Sequence, residues 1–292
     1  MFKSGFVNII GNPNVGKSTL MNAMVGEKLS IVTAKAQTTR HRIMGIVNGE
    51  NYQIVFSDTP GILRPNYRLQ QDMVNFVDTA IGDADIILYV TDTVEKPDKN
   101  IEYIEKLQKL TCPIIIVINK IDISNQGKVM ELMNYWKEKV PSAQIIPASA
   151  QEHFGLDNIL HSIIDNLPVC PPWYDKDAFT DKNLRFFAEE IIREKILLNY
   201  KEEIPYCCQV EVESFKEGAE RYDISAVIYV MRESQKGIVI GKKGMALKKI
   251  GTAARIDMEE FFQKKVFLQL FVKVAPDWRE DKKELRRFGY EG

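Results

Sequence analysis

A lysine can neutralise a phosphate only where the backbone lets the phosphate approach, and the stretch GNPNVGKST, Gly11 to Thr19, is suited to that. It matches the spacing G-x-x-x-x-G-K-[ST] at Gly11, Gly16, Lys17 and Ser18, with Asn12, Pro13, Asn14 and Val15 between the glycines and Thr19 after them. The apolar run FVNII precedes it, and the helix-like run STLMNAMVG comes after. In a strand–loop–helix setting the glycines let successive N–H groups turn inward around phosphate oxygens, and the helix N-terminus adds partial positive charge. Lys17 is expected to reach the β- and γ-phosphates, and Ser18 to ligate Mg²⁺. Such a loop by itself does not separate an ATPase, a kinase and a GTPase.

Two further stretches bear on that choice. DTPG (Asp58, Thr59, Pro60, Gly61) follows the strand-like run YQIVF. A carboxylate there can hold Mg²⁺ through water, and the Gly61 N–H can meet a γ-phosphate. NKID, Asn119 to Asp122, follows the core-like run PIIIVI. Asp122 can accept from both the ring N1–H and the 2-amino group of guanine. Adenine has neither donor there and would leave the carboxylate desolvated and unpaired. Asn119 can serve N7 and tie loops together, and the aliphatic stem of Lys120 can lie on the base or ribose. In ASA, Ala148 to Ala150, the N–H of Ala150, next to Ser149, is expected to contact the guanine O6.

The elements that must hold these groups can be read from periodicity. Strands are expected at 6–10, 42–47, 52–56, 85–90, 113–118 and 144–146, the second and third joined as a hairpin by NGEN. Helix-length segments separate the others, which implies crossovers and a mixed, mainly parallel six-stranded sheet in an α/β domain with one antiparallel edge. The composition changes near LPVCPPWYDKDAFTDKN, where three prolines stop a helix and stiffen a connector. The expected division is a nucleotide domain at 1–167, a proline-rich linker at 168–182 and a smaller α+β domain at 183–292, in a chain of 292 residues. That second domain reads as a helix at about 184–198, strands at 206–215 and 221–231, a glycine-interrupted helical region and a last strand at 265–274. No run of apolar residues is long enough to span a membrane, and the N-terminus lacks the pattern of a secretory signal. The four cysteines, Cys112, Cys170, Cys207 and Cys208, have no metal-ligand spacing and read as buried free thiols of a reducing compartment. Cys207 and Cys208 are expected on opposite faces of a strand.

Net charge is −1, yet from Lys236 to Ile256 there are six basic residues and no acid. That segregation hints at an anionic partner. VIGKKGMALKKIG contains G-x-x-G, Gly241 to Gly244, with Lys242 and Lys243 inside it. Such a loop between two helices lets a nucleic-acid backbone come close. Lys242 and Lys243 would neutralise phosphates, and Lys248 and Lys249 would extend the positive surface. Lys236 and Gly237 complete the candidate surface, with Ile238, Val239 and Ile240 lining one side as a floor for bases.

Taken in order, these motifs resemble the Era-like (TrmE–Era–EngA) family of GTPases. QTTRHR, Gln37 to Arg42, is similar to that branch's switch I, in which one threonine closes on Mg²⁺ and the γ-phosphate; Thr39 is the choice, with Thr38 as the alternative. The second half resembles a type II KH domain, and the ending with DWRED and LRRFGY is similar to the family's C-terminus. The resemblance implies a P-loop GTPase domain followed by a KH domain, with Lys17, Thr39 and Gly61 serving catalysis and Ser18, Thr39 and Asp58 holding Mg²⁺. It also implies that the partners are GTP and GDP, the single-stranded 3′ end of small-subunit (16S) ribosomal RNA and the 30S subunit, with no DNA. The location implied is the cytoplasm, with peripheral contact to the inner face of the membrane. Ile62 stands where Ras-like enzymes carry a water-orienting glutamine, so slow intrinsic hydrolysis is expected. The alternative is an RNA-binding assembly scaffold with negligible hydrolysis.

Overall fold

Runs such as PIIIVIN carry apolar side chains at both parities, and a strand of that kind is stable only with both faces covered. In this computed structural model, which describes residues 1–97 and 99–290, that run becomes β5 (Ile114–Asn119), buried along its whole length. It lies in a six-stranded sheet with β1 (Lys3–Gly11), β2 (Ile43–Asn48), β3 (Tyr52–Asp58), β4 (Ile86–Asp92) and β6 (Gln144–Pro147), in the order β2-β3-β1-β4-β5-β6. β2 pairs antiparallel with β3, and the other neighbours are parallel. The mixed, mainly parallel sheet expected from the sequence is therefore the one observed. Helices α1 (Lys17–Val25), α2 (Arg68–Gly82), α3 (Ile101–Gln108) and α4 (Gln126–Lys139) lie in the connections between strands, and α5 (Leu156–Asn166) follows β6.

This topology creates the site. Four parallel strands end on Gly11, Asp58, Asp92 and Asn119. The register pairs Ile9 with Asp58, Gly11 with Val90 and Asp92 with Asn119, so all four ends share one edge of the sheet. Ligands of open α/β sheets bind at that carboxyl edge.

The chain packs as two units. One comprises Met1–Arg64 and Met73–Asp181; the other holds Pro65–Asp72 and, among the described residues, 182–290. Residues 168–181, expected to be a connector, are stitched to the first unit. Gln53 Oε1 accepts from the N–H groups of Trp173 (2.7 Å) and Tyr174 (3.0 Å), Ile46 N–H donates to Phe179 C=O (2.9 Å), and Thr180 Oγ1 donates to Met44 C=O (2.8 Å). The prolines end α5, but backbone groups of β2 and the buried amide of Gln53 capture the segment beyond them. At the other end of the chain, residues 291 and 292 of the expected second domain lie outside the described residues.

In the second unit α6 (Leu184–Asn199) starts at Asn183, whose side chain accepts from Phe186 N–H. Then come the short α7 (Ile204–Cys207), β7 (Gln209–Glu217), β8 (Arg221–Val230), α8 (Glu233–Ile240), α9 (Met245–Phe262), β9 (Lys265–Val274) and α10 (Lys282–Arg287). The sheet order is β7-β8-β9, with β9 parallel to β8. The strand expected from Tyr206 begins at Gln209, because Pro205 sits in the first turn of α7. Cys207 and Cys208 accordingly do not point to opposite faces; both are buried in one apolar cluster with Ile192, Val210 and Ile228. Cys112 and Cys170 are partly exposed, so burial holds for two of the four thiols. The C-terminal tail belongs to the same unit: Trp278 Nε1 donates to Cys207 C=O (2.9 Å), and the Tyr290 hydroxyl meets Gln209 Oε1 (2.7 Å).

Glu189 supplies a pH-dependent stability. Its Oε1 accepts Val212 N–H (2.8 Å) beside the β7 irregularity, and burial raises its pKa from 4.5 to about 7. The folded carboxyl holds its proton above the pH at which the unfolded one loses it. Stability is therefore undiminished below about pH 4.5 and falls as pH rises toward 7. Glu189→Gln keeps the acceptor without the charge. It is expected to match the parent at pH 4.5 and exceed it at pH 8 by on the order of 3 kcal/mol in urea unfolding.

Candidate nucleotide site and nucleic-acid interface

The phosphate loop runs from the end of β1 into α1. Gly16 has φ +97°, and a Cβ on it would lie 2.2 Å from the Asn119 amide nitrogen. A side chain there would expel Asn119, whose Nδ2 donates to Val15 C=O (2.8 Å) and whose Oδ1 accepts Ala150 N–H (2.9 Å). Asn119 thus ties the phosphate loop to the ASA loop. The Ala150 N–H, expected to face a base, is instead committed to Asn119. Lys120 bonds to Asn14 C=O (2.5 Å) and to Asp92 Oδ2 (2.6 Å). Asp122 accepts the Ser149 hydroxyl (2.6 Å), which sets the direction of its carboxylate.

Lys17 is buried. Its ammonium donates to the carbonyls of Gly11 (3.1 Å) and Asn12 (2.9 Å). Burial lowers its pKa to about 8, against the opposing pull of Asp58 and Glu95. Around Asp58 two hydroxyl oxygens converge. Ser18 Oγ lies 2.6 Å from Asp58 Oδ2 and 2.9 Å from Thr39 Oγ1, and Thr39 Oγ1 lies 3.3 Å from Asp58 Oδ2. Thr38 is directed elsewhere, donating to Lys35 C=O at 2.6 Å. Asp58 Oδ1 is buried with no hydrogen-bond partner. Burial raises the Asp58 pKa, with the nearby Lys17 charge and the Ser18 and Thr39 hydroxyls opposing it. An unpartnered buried carboxylate oxygen beside two hydroxyl oxygens is a hard, all-oxygen donor set that fits Mg²⁺. Thr59 Oγ1 donates to Ile9 C=O (2.7 Å), and Pro60 is buried. A Cβ on Gly61 would come within 2.7 Å of the Pro13 backbone, so the DTPG segment closes directly on the phosphate loop. Thr19 sits partly buried in the first turn of α1.

Two carboxylates in this region carry no local motif. Glu95 accepts from Asn12 Nδ2 (2.7 Å) and Thr91 Oγ1 (2.9 Å), bracing the phosphate loop from behind, and burial raises its pKa. Asp92 holds Lys120. Sequence reasoning missed both, and the signal that could have found them is position: VTDTVE runs off the end of a buried strand parallel to the one that carries the loop.

In the second unit Gly241–Gly244 forms a turn between α8 and α9, with Lys242 and Lys243 exposed. The adjoining groove, about 340 Å³, is lined by Leu247, Lys248, Gly251, Thr252, Arg255 and Leu270, with Gly244 and Leu268 completing it. Of the predicted residues, Gly244 and Lys248 line it; Lys236, Gly237, Ile240, Gly241, Lys242 and Lys243 lie outside its wall. Val239, offered as a floor for bases, is fully buried in the core, and Ile240 packs partly buried against it. Leu247, Thr252 and Arg255 were missed, although Lys248, Thr252 and Arg255 fall at helical spacing on α9.

A phosphate loop, a hard-oxygen cation set and a guanine-selecting carboxylate on the carboxyl edge of one sheet define a P-loop guanine-nucleotide protein, here carrying a second α+β unit. The family model for 50S ribosome-binding GTPases matches residues 6–120, and that for KH domains matches residues 203–279. GTPase Era of Geobacter metallireducens is 46% identical, over 99% of this chain and 98% of that protein. The crystal structure of Era with MgGDPNP and nucleotides 1506–1542 of 16S ribosomal RNA superposes with a TM-score of 0.95 at 40% identity, covering all of both chains. An Aquifex aeolicus Era variant bound to GDP·AlF₄⁻ gives the same values. The chain belongs to the Era family of GTPases. It hydrolyses GTP, and its fold is a P-loop GTPase domain followed by a KH domain.

Proposed function

We propose that this GTPase is a nucleotide-driven switch that binds the single-stranded 3′ end of small-subunit ribosomal RNA in the groove beside α9 and assists assembly of the 30S subunit. Its setting is the cytoplasm, with peripheral contact to the inner face of the membrane. The domain division proposed with it is 1–167, 168–182 and 183–292. The groove carries the reading: it joins an exposed Lys-Lys turn to an apolar floor, which is the pairing that phosphates and unstacked bases require. In the related complex, Era is bound to MgGDPNP and a 16S ribosomal RNA segment, which supports the assignment.

In the GTPase site Ser18, Thr39 and Asp58 would hold Mg²⁺, which supplies charge neutralisation at the phosphates. Lys17 leaves its two carbonyl partners for the β- and γ-phosphates and stabilises charge that develops as the γ-phosphoryl departs. Asp122 and Asn119 fix the base, and the Gly61 N–H orients the γ-phosphate. Ile62 is 4% exposed and belongs to an apolar cluster with Val77 and Tyr89, so its side chain takes no part in orienting water. Slow intrinsic turnover is the consequence.

The switch itself rests on Thr39 and on Asp58–Gly61, which a γ-phosphate orders and hydrolysis releases. Downstream of Gly61, residues 65–72 pack with the KH-bearing unit. There Leu69 N–H donates to Arg279 C=O (3.0 Å), and the Arg279 guanidinium lies 4.4 Å from the Tyr67 ring centre. This gives the phosphate sensor a covalent route to the RNA-binding half.

Lys17→Ala tests the catalytic assignment. It is expected to lower multiple-turnover phosphate release by roughly 10²–10³-fold, while binding of the 1506–1542 RNA without nucleotide stays unchanged. Hydrolysis at the parental rate would refute the role given to Lys17.

A further inference from the structure

The outward residues of β9 read Lys265, Phe267, Gln269, Phe271, Lys273. Their inward neighbours Val266, Leu268, Leu270 and Val272 pack toward α6, α8 and α9. Phe267 and Phe271 are 46% and 50% exposed on an edge strand. On the same outer face the tail covers the β7 side, where Phe288 packs on Tyr229 and Tyr290 reaches Gln209. The β9 side carries two bare aromatic rings.

A cation lies over one of those rings: the Arg221 guanidinium is 5.3 Å from the Phe267 ring centre. Lys265 is 80% exposed, with Glu259 at 4.0 Å. The acids of this face each already face a cation: Asp223 meets Arg221 (2.9 Å), and Glu213 meets Lys273 (2.6 Å). Lys265 and Lys273 bracket the two rings along the strand, so the face runs cation, ring, ring, cation. Leu268 and Leu270, which alternate with the two rings, line the groove assigned above to RNA. The two surfaces are opposite sides of one strand.

We propose that the outer face of β9 is a stacking platform for a single-stranded RNA segment continuous with the one in the groove, with Phe267 and Phe271 each taking a base. This rests on the groove reading under Proposed function. Aromatic rings with interleaved cations on an open strand are what sequence-tolerant single-strand binding uses. Alternate side chains place the two rings about 13 Å apart, so they engage separate nucleotides of an extended strand. A second copy of this chain suits the face less well, because lysines at both ends of an edge strand oppose strand-to-strand pairing.

The test measures anisotropy of two labelled RNAs on the full-length protein: nucleotides 1506–1542 of 16S ribosomal RNA and a six-nucleotide piece cut from it that fills the groove alone. Phe267→Ala with Phe271→Ala is expected to weaken the long RNA about 30-fold and the short one less than about twofold. Replacing both rings by tryptophan preserves affinity for the long RNA, while leucine at both behaves like alanine, since stacking needs a π-face. GTP hydrolysis without RNA, and the unfolding midpoint, report that each variant is folded. An unchanged long-RNA affinity overturns the platform and leaves the groove standing. Equal losses on both RNAs overturn it too. A parent dimer that the double alanine variant makes monomeric in sedimentation velocity gives the face to a second copy. Failure of the parent to bind either RNA removes groove and platform together.

Discussion

Asp122→Asn lowers affinity for GTP by roughly 10⁴-fold and raises affinity for xanthosine triphosphate in its place. The size of the effect comes from unpaired groups. In the parent the carboxylate accepts two donors of guanine, while the Ser149 hydroxyl at 2.6 Å holds Oδ1 in direction. An asparagine at this position presents a donor to the guanine 2-amino group, so a pair of hydrogen bonds becomes a donor–donor clash once the base is seated. Xanthine carries an oxygen at that position and restores the pairing. Asp122 is exposed in its short turn, so the substitution leaves the core untouched. Competition among GTP, ATP and xanthosine triphosphate against one labelled nucleotide reads the result. A variant that still prefers GTP would mean that Asp122 does not read the base. The exchange also separates base reading from chemistry, since the variant supplied with xanthosine triphosphate should turn over near the parental rate.

Local chemistry made the nucleotide half legible. Gly11 to Thr19, Asp58 to Gly61 and Asn119 to Asp122 each name a function within a few residues, and parallel pairing then brings them to one edge. What the sequence hid depends on contacts between distant segments. Glu95 braces Asn12 from a loop after β4, and nothing local marks it as a partner of the phosphate loop. Leu268 and Leu270 become groove residues only because β9 lies beside α9. Val239 was misread for a geometric reason. Successive helical residues are turned by about 100°, so Ile238, Val239 and Ile240 cannot all face one ligand. Val239 takes the core, and Ile238 is half exposed. The proline-rich segment read as a stiff connector because its hydrogen-bonding partners, Gln53 and β2, lie more than 100 residues upstream. The choice between Thr38 and Thr39 was likewise open until Ser18 and Asp58 could be placed against Thr39.

Lys242→Asp with Lys243→Asp should abolish most RNA affinity while leaving GTP hydrolysis in the absence of RNA intact. Gly241 has φ +71°, and a Cβ on it would meet the Ala246 Cβ at 2.6 Å, so the turn requires that glycine; Lys243 is itself left-handed at φ +51°, a conformation aspartate accepts. The two lysines between them are exposed and contribute charge without packing. Reversing them removes two phosphate contacts and adds two repulsions, expected to cost roughly 100-fold in RNA affinity at low salt. The salt dependence carries the sharper information. Each phosphate contact on a single strand contributes a slope of about −0.7 in log K against log salt. Lys242→Ala with Lys243→Ala should therefore flatten the slope by about 1.4. A loss of affinity with the parental slope would place the phosphates elsewhere. Flattening would establish that the turn grips the backbone, and base selection would then belong to the groove floor of Leu247, Leu268 and Leu270 with Thr252 and Arg255 at its side.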